Sequence, residues 1–416
     1  MPLSNAKTDP RHRASRNDAL PGARKSSTMD TPTSGPSASM SATSHTVHGM
    51  AADQVAPHWP PLRQDEVAAL LAHYPQLGPI ETIVWHSPRP LSAAALVRTG
   101  AGEVFVKRHH ASVRDATALA EEHRFIFHLR AHGAAVPALL TDRYGYSVIS
   151  IGAWTYEVQQ RAAGIDLYRD TLSWMPLRNL AHARAAGRAL GQLHQTAHGF
   201  EAPQRSTHLL VARDDLLRAP DPLAALRAQL PQRPGLADYL RGRDWPRELT
   251  RALAPWHATL PTRLQREPTL WTHNDWHVSN LCWSDAGQQA QVSAALDFGL
   301  ASPTCAAFDL ATAIERNAIA WLDPPAQRAA HLDTAQALLA GYREAAPFSA
   351  AQAHLLADLL PLAHLDFALS EVEYFHAITR SAADTRLAYE DFLHGHASWF
   401  ESSQGREFLG ALHDLA

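Results

Sequence analysis

The chain has very little cysteine and no long hydrophobic run. It contains two cysteines, Cys282 and Cys305, in 416 residues, which excludes a disulfide scaffold and indicates a reducing, cytoplasmic setting. The longest apolar stretches, near residue 355, are interrupted by Asp, Pro and His well before the roughly 20 residues that cross a bilayer. Basic residues near the N-terminus are not followed by the apolar segment of a secretory signal. We therefore expect no membrane partner.

An excess of positive charge is also lacking. The formal net charge is -4, so no strong positive field is available to hold a nucleic-acid backbone or an anionic membrane. With 46% hydrophobic and 19% charged residues, the composition is typical of a globular protein. We therefore expect no nucleic-acid partner, and the sequence indicates no particular oligomeric state.

The composition changes along the chain and predicts three regions. Residues 1–57 are rich in Ser, Thr, Pro and Ala without a periodic apolar pattern, which predicts a disordered tail. The remaining length exceeds what one compact unit usually needs. We predict an N-terminal lobe over 58–158 and a helical C-terminal lobe over 159–416.

The two lobes differ in their predicted secondary structure. Strand patterns flank the glycine turn "GAG", a helical pattern follows, and two further strand patterns complete the first lobe. Beyond Gly164 most apolar residues recur at helical spacing. This predicts an α+β fold, with a small antiparallel-sheet lobe containing one main helix and a larger, mostly helical lobe. The strand patterns span 81–87, 93–99, 103–110, 144–150 and 154–160, and the helix spans 117–133.

The most informative segment is "THNDWHVSNLCW", followed by "VSAALDFG". It places Asp275, Asn280 and Asp297 in a loop–strand–turn–strand arrangement. A carboxylate and an amide could then converge on a metal ion while a second carboxylate stays free. Phosphoryl transfer needs this division between oxygen ligands for Mg²⁺ and a group that orients the attacking hydroxyl.

"HNDWHVSN" followed by "DFG" resembles the catalytic loop, H-x-D-x-H-x-x-N, and the metal-binding turn of the aminoglycoside phosphotransferase and choline kinase superfamily. The resemblance implies a two-lobed, protein-kinase-like fold and an enzyme that uses ATP and Mg²⁺. It implies that Asp275 is the catalytic base and that Asn280 and Asp297 are magnesium ligands. His273 and His277 are implied to order the loop.

Two further positions follow from the same resemblance. Asn274 stands where this family usually has glycine, and asparagine tolerates the left-handed backbone region better than most residues. "FDLATAIER" resembles the segment whose aspartate, here Asp309, braces the catalytic loop. A helix N-cap is the alternative role for Asp309, and both roles can hold together.

The first lobe offers a lysine and an acidic partner for it. Lys107 and Phe105 share one face of the strand pattern "VFVKRH", and we expect both to line a nucleotide pocket. Glu122 falls in the apolar stripe of the predicted helix, where a charge needs a partner. The resemblance to kinases implies that Lys107 and Glu122 form that ion pair. The alternatives are a solvent-exposed lysine with Arg108 in its place, and Glu121 in place of Glu122.

Two other segments are expected to hold the nucleotide. The loop "WHSPRPLSAAAL" contains no glycine, so a Gly-rich phosphate cover is absent and backbone amides of residues 87–92 are expected to serve instead. "YEVQQRAAGIDL" resembles the family's lobe connector, which implies that Gln160 and Ala162 pair with the adenine edge. An ordinary strand end would have the same sequence.

Acidic residues of the helical lobe are candidates for the acceptor site, which we expect between helices beyond Asp297. Several carboxylates there would favour an amino-bearing acceptor, such as an amino sugar, an amino alcohol or a hydroxy amino acid. A solvated helix face is the alternative. The candidates are Glu315, Asp366, Glu371, Glu373 and the neighbouring Tyr374.

The predicted function is transfer of the γ-phosphate of ATP to a hydroxyl of a small molecule. A Ser/Thr protein kinase is the runner-up, although the chain has no Ala-Pro-Glu signature. A metallohydrolase that binds zinc or manganese through His273, Asp275 and His277 is an alternative of another class. The last alternative is a non-catalytic binding module with the same fold.

Overall fold

The computed structural model describes residues 58–171 and 173–415. The predicted disordered tail, residues 1–57, lies outside the described residues. Within those ranges, no helix combines the length and the apolar character that crossing a membrane requires.

The small lobe is built on a five-stranded antiparallel sheet with the strand order β1-β2-β3-β5-β4. Its strands are β1 (Ile80–His86), β2 (Ala93–Thr99), β3 (Gly102–His110), β4 (Ile149–Ile151) and β5 (Trp154–Gln160). Two helices belong to this lobe, α1 (Gln64–Leu71) and α2 (Ala116–Ala131), and the sequence analysis did not predict α1.

Strand β3 separates the core of this lobe from its functional face. Val104 and Val106 are buried in a core that also contains residues of α1. Phe105 and Lys107, which alternate with them, line a cleft on the opposite face of the sheet. The predicted division of the two faces is therefore present.

Helix α2 buries the face that the sequence analysis predicted to be apolar. It begins after Asp115, whose side chain caps the helix by accepting from the Ala118 amide, and Gly133 follows its end with φ 86°. Leu119 and Leu129 are fully buried, and Glu122 is buried in the same stripe at 2% exposure. The helix thus carries a carboxylate into the interior.

The larger lobe is mostly helical and contains two short two-stranded antiparallel sheets, in which β6 pairs with β9 and the consecutive strands β7 and β8 pair with each other. Its strands are β6 (Leu270–Thr272), β7 (Leu281–Trp283), β8 (Val292–Ala295) and β9 (Ser302–Thr304). Its helices are α3 (Leu180–Ala197), α4 (Asp215–Arg218), α5 (Pro222–Gln229), α6 (Pro234–Leu240), α7 (Trp245–Leu253), α8 (Leu260–Leu264), α9 (Ala306–Ala318), α10 (Leu332–Ala345), α11 (Ala350–Leu359), α12 (Leu365–Glu373), α13 (Ala382–Leu387), α14 (His396–Trp399) and α15 (Ser403–His413).

The predicted α+β class with a sheet lobe and a helical lobe is confirmed. The sheet ends at Gln160, close to the predicted boundary at residue 158, and the boundary itself stays a prediction. On α3, Ala183, Gly187, Leu190 and His194 are buried as expected. Leu180 is 43% exposed, because it is the first residue of the helix and lies at the edge of the packed face.

Candidate active site

The predicted catalytic loop connects β6 to β7, and β8 leads into the "DFG" turn. The backbone amide of Leu296 donates to the carbonyl of Asn280 at 2.8 Å, which continues the β7–β8 ladder. This pairing places Asp297, the next residue, beside Asn280. The hairpin therefore brings together two parts of the motif that are 17 positions apart in the sequence.

Asn280 connects the loop to the cleft between the lobes. Its amide nitrogen donates to both the backbone oxygen and the Oδ2 of Asp275, each at 3.0 Å. Because the nitrogen is engaged there, the amide oxygen is the group left to bind a cation. Asn280, Asp297 and Lys107 line the same cleft.

Asp297 is the direct ion-pair partner of Lys107, with 2.8 Å between Nζ and Oδ1. The backbone of Asp297 has φ 58°, a left-handed conformation that turns the side chain out of the β8 direction. The Asp297 side chain is 42% exposed and the Lys107 side chain 10% exposed. A buried ammonium thus meets a carboxylate that still has a face open to the cleft.

The predicted pair between Lys107 and Glu122 is wrong as a direct contact. Glu122 is buried, but the cation within 4 Å of its carboxylate is Arg205, at 3.6 Å. The physical reason is that Arg205, whose side chain is fully buried, reaches the same side of α2 and needs anions there. Glu121, the alternative partner, also pairs with Arg205, at 3.4 Å.

The electrostatics keep Lys107 charged. Burial lowers the pKa of Lys107, but Asp297, Glu157 and Glu122 raise it by more, so the pKa lies above its ordinary value. Burial likewise raises the pKa of Asp297, and Lys107 lowers it by more. Both groups are therefore ionised at neutral pH.

Asp275 is also held in its charged form. Burial raises its pKa, but Arg316, at 3.1 Å, and His277, at 3.7 Å, outweigh burial and hold the pKa well below its usual range. A carboxylate in this state can accept a hydrogen bond from a hydroxyl at any physiological pH.

Asp309 holds the backbone of the catalytic loop. Its carboxylate accepts from the amides of His273 at 2.9 Å and Asn274 at 2.8 Å. His194 of α3 contacts the same carboxylate at 2.9 Å. The alternative role as an N-cap is wrong, because α9 begins at Ala306 with Cys305 as its N-cap, and Asp309 lies inside the helix.

The two histidines of the motif are engaged within the loop. His273 accepts from the Asp275 amide through Nδ1 at 3.2 Å and contacts the Leu296 carbonyl through Nε2 at 2.9 Å. His277 contacts Ser279 Oγ at 2.8 Å. Because both ring nitrogens of His273 are used within the loop, His273, Asp275 and His277 are not arranged as a metal site among the described residues, which disfavours the metallohydrolase alternative. Among the described residues, the cluster with metal-ligand spacing lies elsewhere, at Glu315, His364 and His396.

Of the remaining nucleotide-binding candidates, two line the cleft and one does not. Gln160 and Ala162 both line the cleft that contains Lys107, and their contact with a nucleotide stays a prediction. Arg108, the alternative to Lys107, points away from this cleft: it pairs with Glu66 at 2.6 Å and lies over the ring of Trp154.

Sequence reasoning missed two residues of the site. Arg316, in the last turn of α9, pairs with Asp275 and lies 3.6 Å from the ring centre of Trp174. Glu157 of β5 lies directly opposite Lys107 in the sheet, is buried, and contacts His123 at 3.0 Å. A carboxylate within the strand pattern "WTYEVQQ" was the available signal for Glu157. No pattern pointed to Arg316.

The acidic acceptor candidates separate into two groups, and none of the four is on a solvated face. Asp366 and Glu373 both pair with buried Arg233, at 3.2 Å each. Glu315 and Glu371 instead flank His364, at 3.8 Å and 3.5 Å. The group formed by Glu315 and Glu371 lies near Asp275, because, beyond the raising effect of burial, the charge of Arg316 lowers the pKa of both glutamates and the charge of Asp275 raises that of Glu371. Tyr374 bonds to Trp59 at 3.1 Å.

Comparisons with known proteins agree with this geometry. Residues 91–348 match the model of the phosphotransferase enzyme family. The homoserine kinase of Phenylobacterium zucineum (strain HLK1) is 26% identical over 255 residues, which are 61% of this chain and 68% of that protein.

Two solved structures have a similar fold. The microcompartment-associated aminopropanol kinase has a TM-score of 0.51 at 17% identity, covering 83% of this chain and 98% of its own. The GDP and kanamycin complex of APH(2")-IIia has a TM-score of 0.51 at 14% identity, covering 79% of this chain and 97% of its own.

The family model spans more than half of the chain, and it includes Lys107 as well as the whole segment from Asp275 to Asp309. A non-catalytic module is therefore excluded, and the relatives are kinases of small molecules rather than of proteins. The chain belongs to the phosphotransferase enzyme family, and it is a small-molecule kinase.

Proposed function

We propose that this kinase transfers the γ-phosphate of ATP, with Mg²⁺, to a hydroxyl of a small amino-bearing molecule. The observation that carries the proposal is that Asn280, Asp297 and Lys107 line one cleft, with Asp275 held beside it by its hydrogen bond from Asn280. These are the groups that phosphoryl transfer requires: a carboxylate for the acceptor hydroxyl, oxygen ligands, and a cation for the phosphates.

The donor set suits magnesium. The amide oxygen of Asn280 and the carboxylate of Asp297 are hard oxygen ligands, and both residues line the cleft. They would hold Mg²⁺, which would neutralise the charge on the phosphates. Asp297 would then exchange part of its contact with Lys107 for the metal, and Lys107 would be available to the phosphates.

The role of Asp275 follows from its charge and its restraints. Its Oδ2 is fixed by Asn280, and its other oxygen faces Arg316 and His277. A carboxylate whose position is held by one hydrogen bond, and whose other oxygen is open to accept one, can orient a hydroxyl without a large rearrangement in the transition state. Arg316 and His277 keep it deprotonated while it does so.

The amino group of the acceptor is proposed to bind at Glu315 and Glu371. Burial raises the pKa of each to about 8, and one oxygen of each carboxylate accepts no hydrogen bond from the described residues. An ammonium group would satisfy those oxygens, and its positive charge would favour the ionised form of both carboxyl groups. Homoserine, the acceptor in the name of the relative at 26% identity, is a hydroxy amino acid and has both required groups.

The first test replaces the proposed base. Asp275→Asn keeps the hydrogen bond from Asn280 but lacks the charge, so turnover should fall by about 10²–10⁴-fold while nucleotide affinity changes little. Phosphate transfer from ATP would be measured with a panel of hydroxyl-bearing metabolites. Asp285→Asn, in the exposed turn between β7 and β8, is the matched control. Normal turnover in Asp275→Asn would contradict the assignment.

The second test separates the metal ligand from the base. Asp297→Ala should weaken binding of Mg·ATP measured by calorimetry, because a ligand of the metal is lost. Affinity equal to that of the wild type would reject Asp297 as a ligand.

The third test addresses the acceptor. Glu371→Gln should raise KM for an amino alcohol more than KM for the same alcohol without its amino group. Equal changes for both acceptors would remove Glu371 from ammonium recognition.

A further inference from the structure

The loop between β1 and β2 lines the cleft but has few backbone amides available to bind phosphate. Ser87, Arg89 and Ser92 of this loop line the cleft. Of its six residues, Pro88 and Pro90 have no amide hydrogen. The Ser87 amide donates to the Ala94 carbonyl at 2.8 Å, and the Arg89 amide donates to Ser87 Oγ at 3.3 Å.

The amides that were expected to replace a Gly-rich cover are therefore mostly unavailable. At positions 87–90 each amide is either used within the loop or missing, which leaves those of Leu91 and Ser92. The expectation that backbone amides of residues 87–92 serve this role is wrong for the first four positions. With at most two amides left, we expect the side chains of the loop to contribute most of its contacts with a ligand in the cleft.

Arg89 is the cation that this loop brings into the cleft. Its NH1 donates to Ser173 Oγ, in the segment that precedes α3, at 2.6 Å, so the side chain crosses from the sheet lobe towards the helical lobe. Burial lowers the pKa of Arg89, while Asp275, Asp166 and Asp297 raise it. The guanidinium therefore lies in the field of the two aspartates assigned to base and metal.

The other cations that line the cleft already have carboxylate partners. Lys107 pairs with Asp297 at 2.8 Å, Arg161 with Glu103 at 2.7 Å, and Arg169 with Asp166 at 3.5 Å. Among the residues that the structure describes, Arg89 alone of these four cations has no carboxylate oxygen within 4 Å. A half-buried guanidinium that bonds only a neutral hydroxyl can still accept an anion.

We propose that Arg89 binds the terminal phosphates of the nucleotide, in place of the backbone amides of a Gly-rich loop. The proposal rests on the proposed function, because it needs a nucleotide in this cleft. Arg89 would hold the phosphates from the sheet side, opposite the oxygen ligands on the helical lobe. Its planar fork can bond two phosphate oxygens at once, which a lysine cannot do.

The test compares ligands that share the adenosine moiety but differ in phosphates. Binding of Mg·AMP-PNP, ADP and adenosine to the full chain would be measured by calorimetry. In Arg89→Gln we expect the affinity for AMP-PNP to fall by about tenfold or more, that for ADP by less, and that for adenosine by under about twofold. Arg89→Lys should recover part of the loss for AMP-PNP. Arg98→Gln, an exposed arginine of β2 outside the cleft, is the matched control.

A purely structural role for Arg89 would give a different pattern. If Arg89 only connects the two lobes, Ser173→Ala should have the same effect on affinity as Arg89→Gln, and the affinities for all three ligands should fall equally. That result overturns the proposal. Unchanged affinity of Arg89→Gln for AMP-PNP overturns it as well. Phosphate-dependent losses in Arg89→Gln that Ser173→Ala does not share support it. A wild-type chain that binds none of the three ligands overturns both the proposal and the proposed function. If the wild type binds the nucleotides but Arg89→Gln shows no phosphate-dependent loss of affinity, only the proposal for Arg89 is overturned.

Discussion

At the scale of single residues, the catalytic loop depends on one left-handed backbone conformation. Asn274 has φ 60°, in the position where the resembling family usually has glycine. Its side chain accepts from Thr272 Oγ1 at 2.9 Å and donates to Ser302 Oγ at 3.1 Å. Asparagine therefore meets the backbone requirement and adds buried hydrogen bonds that glycine could not make.

Replacing Asn274 should separate these two contributions. Asn274→Ala loses the buried hydrogen bonds and forces alanine into the left-handed region, for a loss of about 2–4 kcal/mol in the free energy of unfolding. Asn274→Gly loses the hydrogen bonds but carries no left-handed strain, so it should lose about 1–2 kcal/mol less. Urea denaturation of both variants measures the difference. Equal stability of the two would mean that backbone strain plays no part.

The motif spacing identified Asp275, Asn280 and Asp297 because these residues act through a short hairpin, whose register follows from local sequence. The partner of Glu122 could not be identified in this way. The sequence placed Glu122 correctly in a buried stripe, but its nearest cation, Arg205, is 83 positions away. Which cation reaches a buried carboxylate is decided by packing between the lobes.

At the scale of elements, helices α3 and α10 approach each other through a reciprocal pair of glycines. A methyl group on Gly187 would overlap the Leu338 carbonyl, and one on Gly341 would overlap the Arg184 carbonyl. The two backbones are thus in direct contact. Since α3 also carries His194, which contacts Asp309, this crossing positions the support of the catalytic loop.

A single methyl group should disrupt this crossing. Gly187→Ala is expected to destabilise the chain by about 3 kcal/mol or more, because neither backbone can move without displacing its helix. Gly410→Ala is the matched control: this position in α15 is exposed, with no heavy atom within 4 Å of the added carbon. There the change should stabilise by about 0.5–1 kcal/mol. The melting temperatures of both variants would be measured by thermal unfolding. Comparable melting temperatures for Gly187→Ala and Gly410→Ala would contradict the close contact between the helices.

At the scale of the whole molecule, buried arginines join segments that are distant in the chain. Arg205 donates to the carbonyls of Ala118 and Ala301, at 3.1 Å and 2.8 Å, so it links α2 to the segment after the "DFG" turn. Arg114 donates to the carbonyls of Leu210 and Gly299, at 2.5 Å and 2.9 Å. These bonds connect the sheet lobe to the "DFG" turn.

Buried carboxylates should give the stability of the whole molecule a specific pH dependence. Burial raises the pKa of Glu315 to about 8, so the folded state keeps its proton where the unfolded state has lost it. From the ordinary glutamate pKa up to about pH 8, the stability from this group should therefore fall as pH rises, and the part of the fall between about pH 6.5 and 8 should be about 1–2 kcal/mol. Below the ordinary glutamate pKa this contribution is fully present.

The measurement is the slope of the unfolding free energy against pH in that window. Glu315→Gln should flatten the slope by the contribution of one group, whatever its effect on the stability at a single pH. Glu407→Gln, on the exposed face of α15, is the control and should leave the slope as in the wild type. An unchanged slope in Glu315→Gln would mean that Glu315 is ionised in the folded chain.

The sequence by itself determined the class of fold, most strands and the main helix of the sheet lobe, and the residues of the motif between His273 and Asp309. These features follow from periodicity and from spacing over short distances, where the backbone leaves few arrangements. Tertiary structure alone decided that Lys107 pairs with Asp297, that Arg316 restrains Asp275, and that Arg89 crosses the cleft. Each of these contacts joins side chains from different elements, so it depends on how the elements pack and not on the spacing within any one of them.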